Sequence, residues 1–212
     1  MVRYLSHFRS IHRGQYFTEM KTTTVRKLLP EAWGFMCPVH TPDGSPCGLL
    51  NHITLSCAPL PSEELDMKTH GPNFKKLLCQ LGMSPINSDF GLVYPCNCLP
   101  VTLDGKLMGY IDPKMANHLV SSLRAIKIMQ HKTDDLYSCV PKTLEIAYLP
   151  SSQSQKGIEE ESTEDDDFKE KFFTGIFLAT CPSRFVRPVR NLEHGGIEFI
   201  GPLEQVNLSI AC

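Results

Sequence analysis

Residues 33–51 constrain the fold of this 212-residue chain more than any other stretch. They read WGFMCPVHTPDGSPCGLLN, with three prolines and three glycines in nineteen residues. Each proline removes a backbone N–H donor and restricts the residue before it, which disfavours both a regular helix and a long strand. We call this stretch the signature loop. We predict that it follows one fixed, irregular path, as loops that carry function on a scaffold do.

The composition is that of a globular protein. Hydrophobic residues make up 42% of the chain and charged residues 21%, and no stretch approaches the ~20 apolar residues that cross a bilayer. We therefore expect no membrane contact. The nine cysteines are an odd number without the spacing of a disulfide framework, which favours reduced thiols in the cytosol or nucleus.

Charge is distributed unevenly along the chain. Residues 159–167 carry seven acidic side chains, which leaves 21 basic and 16 acidic side chains elsewhere. Residues 1–34 hold six basic and two acidic side chains. A local cationic surplus favours phosphate contact, because that attraction is independent of sequence. A basic face that is merely solvated would look the same.

The clearest element signals lie in residues 99–130. Asp104-Gly105 between two apolar runs predicts a type I′ hairpin with Val101, Leu103, Met108 and Tyr110 on one face. Asp112-Pro113 predicts the start of a helix. Apolar residues at helical spacing continue that helix over 115–129 and predict that it packs on the hairpin.

Further elements follow from composition. A short helix is expected at 74–81, after a surface connection at 57–75. Residues 151–171 are poor in apolar side chains and predict a disordered acidic insertion. Strands are expected at 49–55, 143–149, 175–180, 185–189, 197–200 and 206–211. Together these patterns predict an α+β fold with a loop-rich first segment.

Two chemistries compete for the cysteines of the signature loop. Cys37, His40 and Cys47, with His52 or Cys57, suggest zinc, but only one close ligand pair is present and we expect no metal site. A cysteine nucleophile would need an orienting group and an oxyanion hole, neither of which the sequence shows. Neither a Walker loop nor a dinucleotide-binding glycine motif occurs. We assign no catalytic residue.

The signature loop closely resembles the fork region of the second-largest subunit of cellular RNA polymerases. The preceding RYLSHFRSIHRGQYFTEMKTTTVRKLLP and the later LPVTLDGKLMGYID and FVRPVRNL resemble neighbouring segments of that family in the same order. His40 and Asp43 stand where most relatives carry two glutamates, and this is typical of the RNA polymerase I branch.

The resemblance implies a domain organisation. Residues 1–56 would form the fork-region segment, the C-terminal part of domain 3 of that subunit, and 57–98 a connection with a short helix. Residues 99–190 would form an external domain that contains the acidic insertion, and 191–212 would begin the next domain. The chain would thus be a fragment or truncated paralogue of a longer subunit.

The resemblance also implies a function in DNA-directed RNA synthesis, here rRNA transcription in the nucleolus of the nucleus. The implied partners are the largest subunit, other RNA polymerase I subunits, the DNA template and the DNA/RNA hybrid. The parent polymerase would be a nucleotidyltransferase that uses magnesium, whereas this chain would bind no cofactor and be inactive alone. A non-catalytic interaction protein that never joins a polymerase is the alternative.

Site residues are implied by position in the family. Nucleic-acid contacts fall on the basic residues before the signature loop, although intersubunit salt bridges would use the same side chains. These residues are Arg9, Arg13, Lys21, Arg26 and Lys27. The part of the signature loop that would line the active centre comprises His40, Thr41, Pro42, Asp43, Gly44 and Asn51.

Overall fold

The computed structural model describes residues 8–20, 22–61, 67–86, 98–129, 137–150 and 174–210. Within these ranges, helices and mixed and antiparallel sheets confirm the predicted α+β class. The predicted insertion at 151–171 lies outside the described residues. The strands are β1 (Ser10–His12), β2 (Leu50–His52), β3 (Ala58–Pro59), β4 (Ser84–Pro85), β5 (Leu99–Leu103), β6 (Lys106–Ile111), β7 (Glu145–Leu149), β8 (Gly175–Ala179), β9 (Phe185–Arg190) and β10 (Ile197–Ile200). The α-helices are α1 (Gln15–Glu19), α2 (Met67–Gln80), α3 (Pro113–Met129) and α4 (Pro202–Gln205).

Three sheets organise the described residues. The largest has the order β4-β6-β5-β8-β7, in which only β5 and β8 run parallel. A three-stranded sheet has the order β10-β9-β3, and β1 pairs with β2. The domain boundaries stay predictions, although β4 from the expected connection joins the large sheet.

The predicted hairpin is present, with one correction to its faces. Asp104 and Gly105 both have positive φ, 48° and 80°, as a type I′ turn requires. Val101 lies opposite Gly109, but Thr102 lies opposite Leu107, so a bulge interrupts the register. At this point β6 has one more residue than β5, so the side chains of β6 on the two sides of the bulge lie on opposite faces from those expected for an unbroken register. Tyr110, opposite Pro100, therefore does not share the face of Val101 as predicted.

Helix α3 begins as its sequence predicts and packs into the main core. The Lys114 amide donates to Asp112 Oδ1 at 2.9 Å, which caps the helix beside Pro113. Ala116, Leu119 and Leu123 are buried at the expected helical spacing. They share a core with both strands of the hairpin, which confirms the predicted packing.

Helix α2 is longer than predicted. It begins at Met67 and contains Pro72, so residues 67–75 are helical rather than a surface connection. A proline inside a helix removes one backbone hydrogen bond. Burial of Phe74, Leu77 and Leu78 in the main core supplies the tertiary packing that offsets this loss.

Two strand predictions were wrong within the described residues, the first in its length and the second in expecting a strand at all. The strand expected at 49–55 is only three residues long, Leu50–His52. The strand expected at 206–211 is absent from its described part, 206–210. Instead, Pro202 begins α4 in the first-turn position that proline favours. A turn then follows, in which the Asn207 amide donates to Glu204 O at 3.2 Å.

A buried charge cluster joins the C-terminal residues to α3. Lys127 Nζ lies 2.8 Å from Glu198 Oε1 and donates to Leu144 O and Phe199 O, each at 3.0 Å. Arg124 contacts the carboxylates of Glu198 and Glu204 at 3.1 and 2.8 Å. Buried charges are tolerated only when they are paired in this way. The cluster therefore fixes α4 against the large sheet.

The two carboxyls of this cluster respond to burial in opposite directions. Burial raises the pKa of Glu204 to about 7, although Lys127 and Arg124 oppose the shift. Burial also disfavours the charged form of Glu198, but Lys127, Asn191 and Arg124 outweigh it and lower that pKa. As the pH rises from 4.5 to about 7, unfolded Glu204 loses a proton that folded Glu204 keeps. Its contribution to the free energy of unfolding therefore falls over that range.

We expect Lys127→Met to lower the free energy of unfolding by about 3–5 kcal/mol at about pH 8, because it leaves buried carboxylates short of a counter-charge. The loss should be smaller at about pH 5.5, where Glu204 is mostly protonated. Urea unfolding at both pH values measures this difference. Lys114→Met, on the exposed start of the same helix, should cost little at either. An equal loss at both pH values for Lys127→Met would show that the charge of Glu204 does not contribute to the pairing with Lys127.

Candidate nucleic-acid interface

The signature loop is attached to a short two-stranded platform. Strand β2 pairs antiparallel with β1, and Ile11 lies opposite Asn51. On the other side of β2, the Cys37 amide donates to His52 O at 2.8 Å and the Thr54 amide donates to Phe35 O at 2.9 Å. Both ends of the loop are thus tied to one ladder.

Arg26 holds three segments together through backbone carbonyls. Its guanidinium donates to Ser45 O at 2.7 Å and Cys47 O at 2.6 Å in the signature loop. It also donates to Thr22 O at 3.3 Å and Phe17 O at 3.5 Å. The planar group with five donors is suited to several acceptors at once. Arg26, predicted to contact nucleic acid, therefore has a structural role within the chain.

Polar side chains of the loop close it further. The Thr41 hydroxyl donates to Leu50 O and accepts from the Gly48 amide, both at 2.9 Å. Asn51 Nδ2 donates to Gly48 O at 3.2 Å. Gly48 has φ 75°, and a Cβ there would lie 2.8 Å from both Cβ and O of Arg26. Only glycine allows this approach without strain.

Arg9 also binds backbone rather than facing outward. Its Nη2 donates to Thr54 O at 2.8 Å and to Cys57 O at 2.6 Å. These bonds connect β1 to the chain that leaves β2. A nucleic-acid contact by Arg9 stays a prediction, as it does for Arg26, because each guanidinium has further N–H groups.

The histidine and thiol groups in and beside the loop contact one another through ring stacking and a hydrogen bond. His40 stacks on buried His52 with ring centroids 3.6 Å apart, and its amide donates to Cys37 Sγ at 3.3 Å. Across the described ranges, no three His, Cys, Asp or Glu side chains are grouped as metal ligands. The stack supports the signature loop at His40, just after residues 35–37.

The structure brings several predicted site residues to one small pocket. Its lining includes the basic residues Arg13, Arg26 and Lys27 and the loop residues Thr41 and Asn51. Asp43 and Gly44 lie at the exposed loop tip, and Pro42 beside them is half-buried. Lys21 lies outside the described residues. The pocket therefore unites the basic segment with the signature loop.

Two residues far along the chain complete the support of this region. Gln205 Nε2 donates to Pro30 O at 2.9 Å and Trp33 O at 2.7 Å. Arg187 donates to Gln205 Oε1 through Nε and Nη2 at 2.9 and 2.6 Å. Sequence reasoning missed both, because no local pattern links residues so far apart along the chain.

Among the described helices, none is long and apolar enough to cross a membrane.

Two family models match separate parts of the chain. Residues 1–58 match the model described as RNA polymerase Rpb2, domain 3. Residues 108–158 match the model described as RNA polymerase I, Rpa2 specific domain. The first includes the whole candidate interface on the N-terminal side, and the second includes helix α3.

Similar proteins align with nearly the whole chain. The DNA-directed RNA polymerase I subunit RPA2 of Euplotoides octocarinatus is 50% identical over 211 residues, which are 100% of this chain and 17% of that protein. The human RPA2 subunit is 41% identical over 99% of this chain and 16% of its own length. A probable RPA2 subunit of Schizosaccharomyces pombe is 43% identical over 99% of this chain and 16% of its own length. The chain thus spans about one sixth of the length of these relatives.

We expect Gly48→Ala to loosen the signature loop more than Gly44→Ala does. Both substitutions place alanine at positive φ, which costs about 1–2 kcal/mol. At Gly44 the nearest atom to a new Cβ is 4.0 Å away, whereas at Gly48 it is Arg26 at 2.8 Å. Overpacking should therefore add about 1–3 kcal/mol at Gly48. Urea unfolding of both variants measures the difference, and equal losses would mean that Arg26 yields freely.

Proposed function

We infer, from the membership of this chain in the family of second-largest RNA polymerase I subunits, that it contributes to DNA-directed synthesis of rRNA. The observation that carries the inference is an identity of 38–50% over essentially the whole chain to subunits of that one polymerase. The fork segment would act near the template and the growing RNA as a rigid scaffold. The chain would work in the nucleus, within the nucleolus.

The proposed role is positioning rather than chemistry. The rigid loop and its basic neighbours suit phosphate contact, which fixes a strand without reading its sequence. Magnesium in the parent polymerase would neutralise charge on the transferring phosphate. The largest subunit and other polymerase I subunits would be protein partners, and the DNA template and DNA/RNA hybrid the nucleic-acid partners. We propose that the isolated chain is inactive.

A chimaera tests this function. In it, the present chain replaces the matching segment of the fission yeast relative, to which it is 43% identical. We expect the chimaera to co-purify with the largest subunit and to sustain rRNA synthesis. A second chimaera with Arg26→Ala should synthesise less rRNA, because it loses the bonds to Ser45 O and Cys47 O. A stable chimaera that does not join the polymerase would contradict the proposal and favour an independent interaction protein.

Binding of the full chain to single-stranded DNA should weaken steeply with salt. We expect Arg13→Ala with Lys21→Ala to reduce the slope of log affinity against log salt by about 0.7 for each phosphate that is no longer neutralised. Sequence preference should not change. Lys106→Ala with Lys114→Ala removes the same charge at exposed positions elsewhere and should leave the slope unchanged. An equal reduction in both double variants would indicate a general charge effect instead.

A further inference from the structure

The pocket that unites the basic segment with the signature loop is too small for a nucleoside. Its volume is about 130 Å³, whereas pockets for drug-sized ligands measure about 300–1,000 Å³. Its apolar lining comes from aliphatic and sulfur-containing side chains and a proline, with no aromatic group among the described lining residues. A base would therefore find neither room nor a stacking partner. The size suits a single compact group.

The polar lining of this pocket is cationic. Arg13, Arg26 and Lys27 contribute three positive charges, and no described lining residue carries a carboxylate. Like charges that line one small pocket repel one another, and an anion between them offsets that repulsion. The unbalanced charge indicates an oxyanion as the occupant.

The three cations divide into a fixed wall and two available donors. Arg26 is bonded to the carbonyls of Ser45 and Cys47, which holds its charge in place. The exposed side chains of Arg13 and Lys27 make no hydrogen bond or ion pair with another described residue. Arginine can bind an oxyanion through two N–H groups and lysine through one. Both can therefore turn to a ligand without breaking an existing bond.

Polar atoms of the loop fix the shape of the pocket. Thr41 Oγ1 already bonds to Gly48 N and Leu50 O, and Asn51 Nδ2 bonds to Gly48 O. These groups are used by the fold, so they shape the wall without competing for the ligand. A preformed wall reduces the ordering cost of binding.

We propose that this pocket binds one phosphate group of a nucleic-acid strand, held by Arg13 and Lys27 against the wall formed by Arg26. The proposal rests on the proposed function, which supplies the strand. It adds that one phosphodiester enters a defined site while its neighbours remain outside. Binding here is independent of sequence, because the pocket admits the phosphate and excludes the base.

The first test measures the pocket without nucleic acid. Inorganic phosphate is titrated into the full chain in a buffer without other oxyanions, followed by calorimetry and by the ³¹P line width. We expect one saturable site. The double variant Arg13→Gln, Lys27→Gln should lose about tenfold or more in affinity, because it removes two charge-assisted donors. The matched control Lys106→Gln, Lys114→Gln should retain the site.

Phosphate affinity that is unchanged in the first double variant, or reduced equally in both, would overturn the proposal. Urea unfolding verifies that both double variants fold. If the first does not, the single variants Arg13→Gln and Lys27→Gln replace it and should each lose part of the affinity. This readout needs no polymerase. Failure of the phosphate site with a working chimaera would overturn the pocket alone. A phosphate site in a chain whose chimaera does not join the polymerase would overturn the proposed function and leave only the affinity of the pocket for phosphate.

The second test identifies the source of the phosphate group. A short single-stranded DNA without terminal phosphates should displace inorganic phosphate from the full chain and compete for the same site. In the Arg13→Gln, Lys27→Gln variant, the DNA should bind more weakly and with a smaller salt dependence. If DNA binds without displacing phosphate, the occupant is a free phosphate ion and the assignment to a strand is wrong.

Discussion

The contact of Arg26 with backbone carbonyls is the interaction on which the candidate interface depends. One guanidinium satisfies carbonyls of the signature loop that have no partner in a helix or sheet. An irregular loop has no ladder that pairs such groups, so each is satisfied individually, here by a donor of the chain itself. Gly48 lets the loop approach Arg26 closely, and Thr41 and Asn51 form hydrogen bonds with the backbone of Gly48. The loop is thereby rigid without regular secondary structure.

The second support comes from the far end of the chain. Gln205 binds the carbonyls of Pro30 and Trp33, and its own position follows from α4. That helix is fixed in turn by Glu204, which pairs with Arg124 of α3. The support of the signature loop therefore runs back to the main core. A charge substitution at Lys127 would act on the interface through this series of contacts.

The sequence predicted those features whose causes are local. Asp104-Gly105 and Asp112-Pro113 specify a turn and a helix start by their own conformational preferences, and both are present. The similarity to RNA polymerase I subunits was also predicted from the sequence, because the signature loop has a distinctive order of residues. The faces of the hairpin were not predicted, because a bulge next to the pair of Val101 and Gly109 changes the register. The isolated Gly109 within the strand is the local signal that could have indicated it.

The roles of the candidate site residues stay predictions, but the structure shows differences among those residues. The resemblance to the family placed Arg9, Arg13 and Arg26 together as nucleic-acid contacts by their positions in the sequence. The structure distinguishes them. Backbone carbonyls hold Arg9 and Arg26, whereas Arg13, which lines the pocket together with Arg26, has a side chain that pairs with no other described residue. Tertiary hydrogen bonds decide this difference, and a basic residue looks the same in sequence whichever partner it meets.

Hydrogen exchange in the full chain, with Arg26 intact and as Arg26→Lys, tests this account most directly. Lysine keeps the positive charge but lacks the planar set of donors. The account predicts slow exchange of the Gly48 and Leu49 amides, which donate to Thr41 Oγ1 and Pro46 O. It also predicts that protection falls by about tenfold in Arg26→Lys, while the α3 amides are unaffected. Equal protection of the loop in both proteins would show that charge alone, and not the bonds to carbonyls, maintains it.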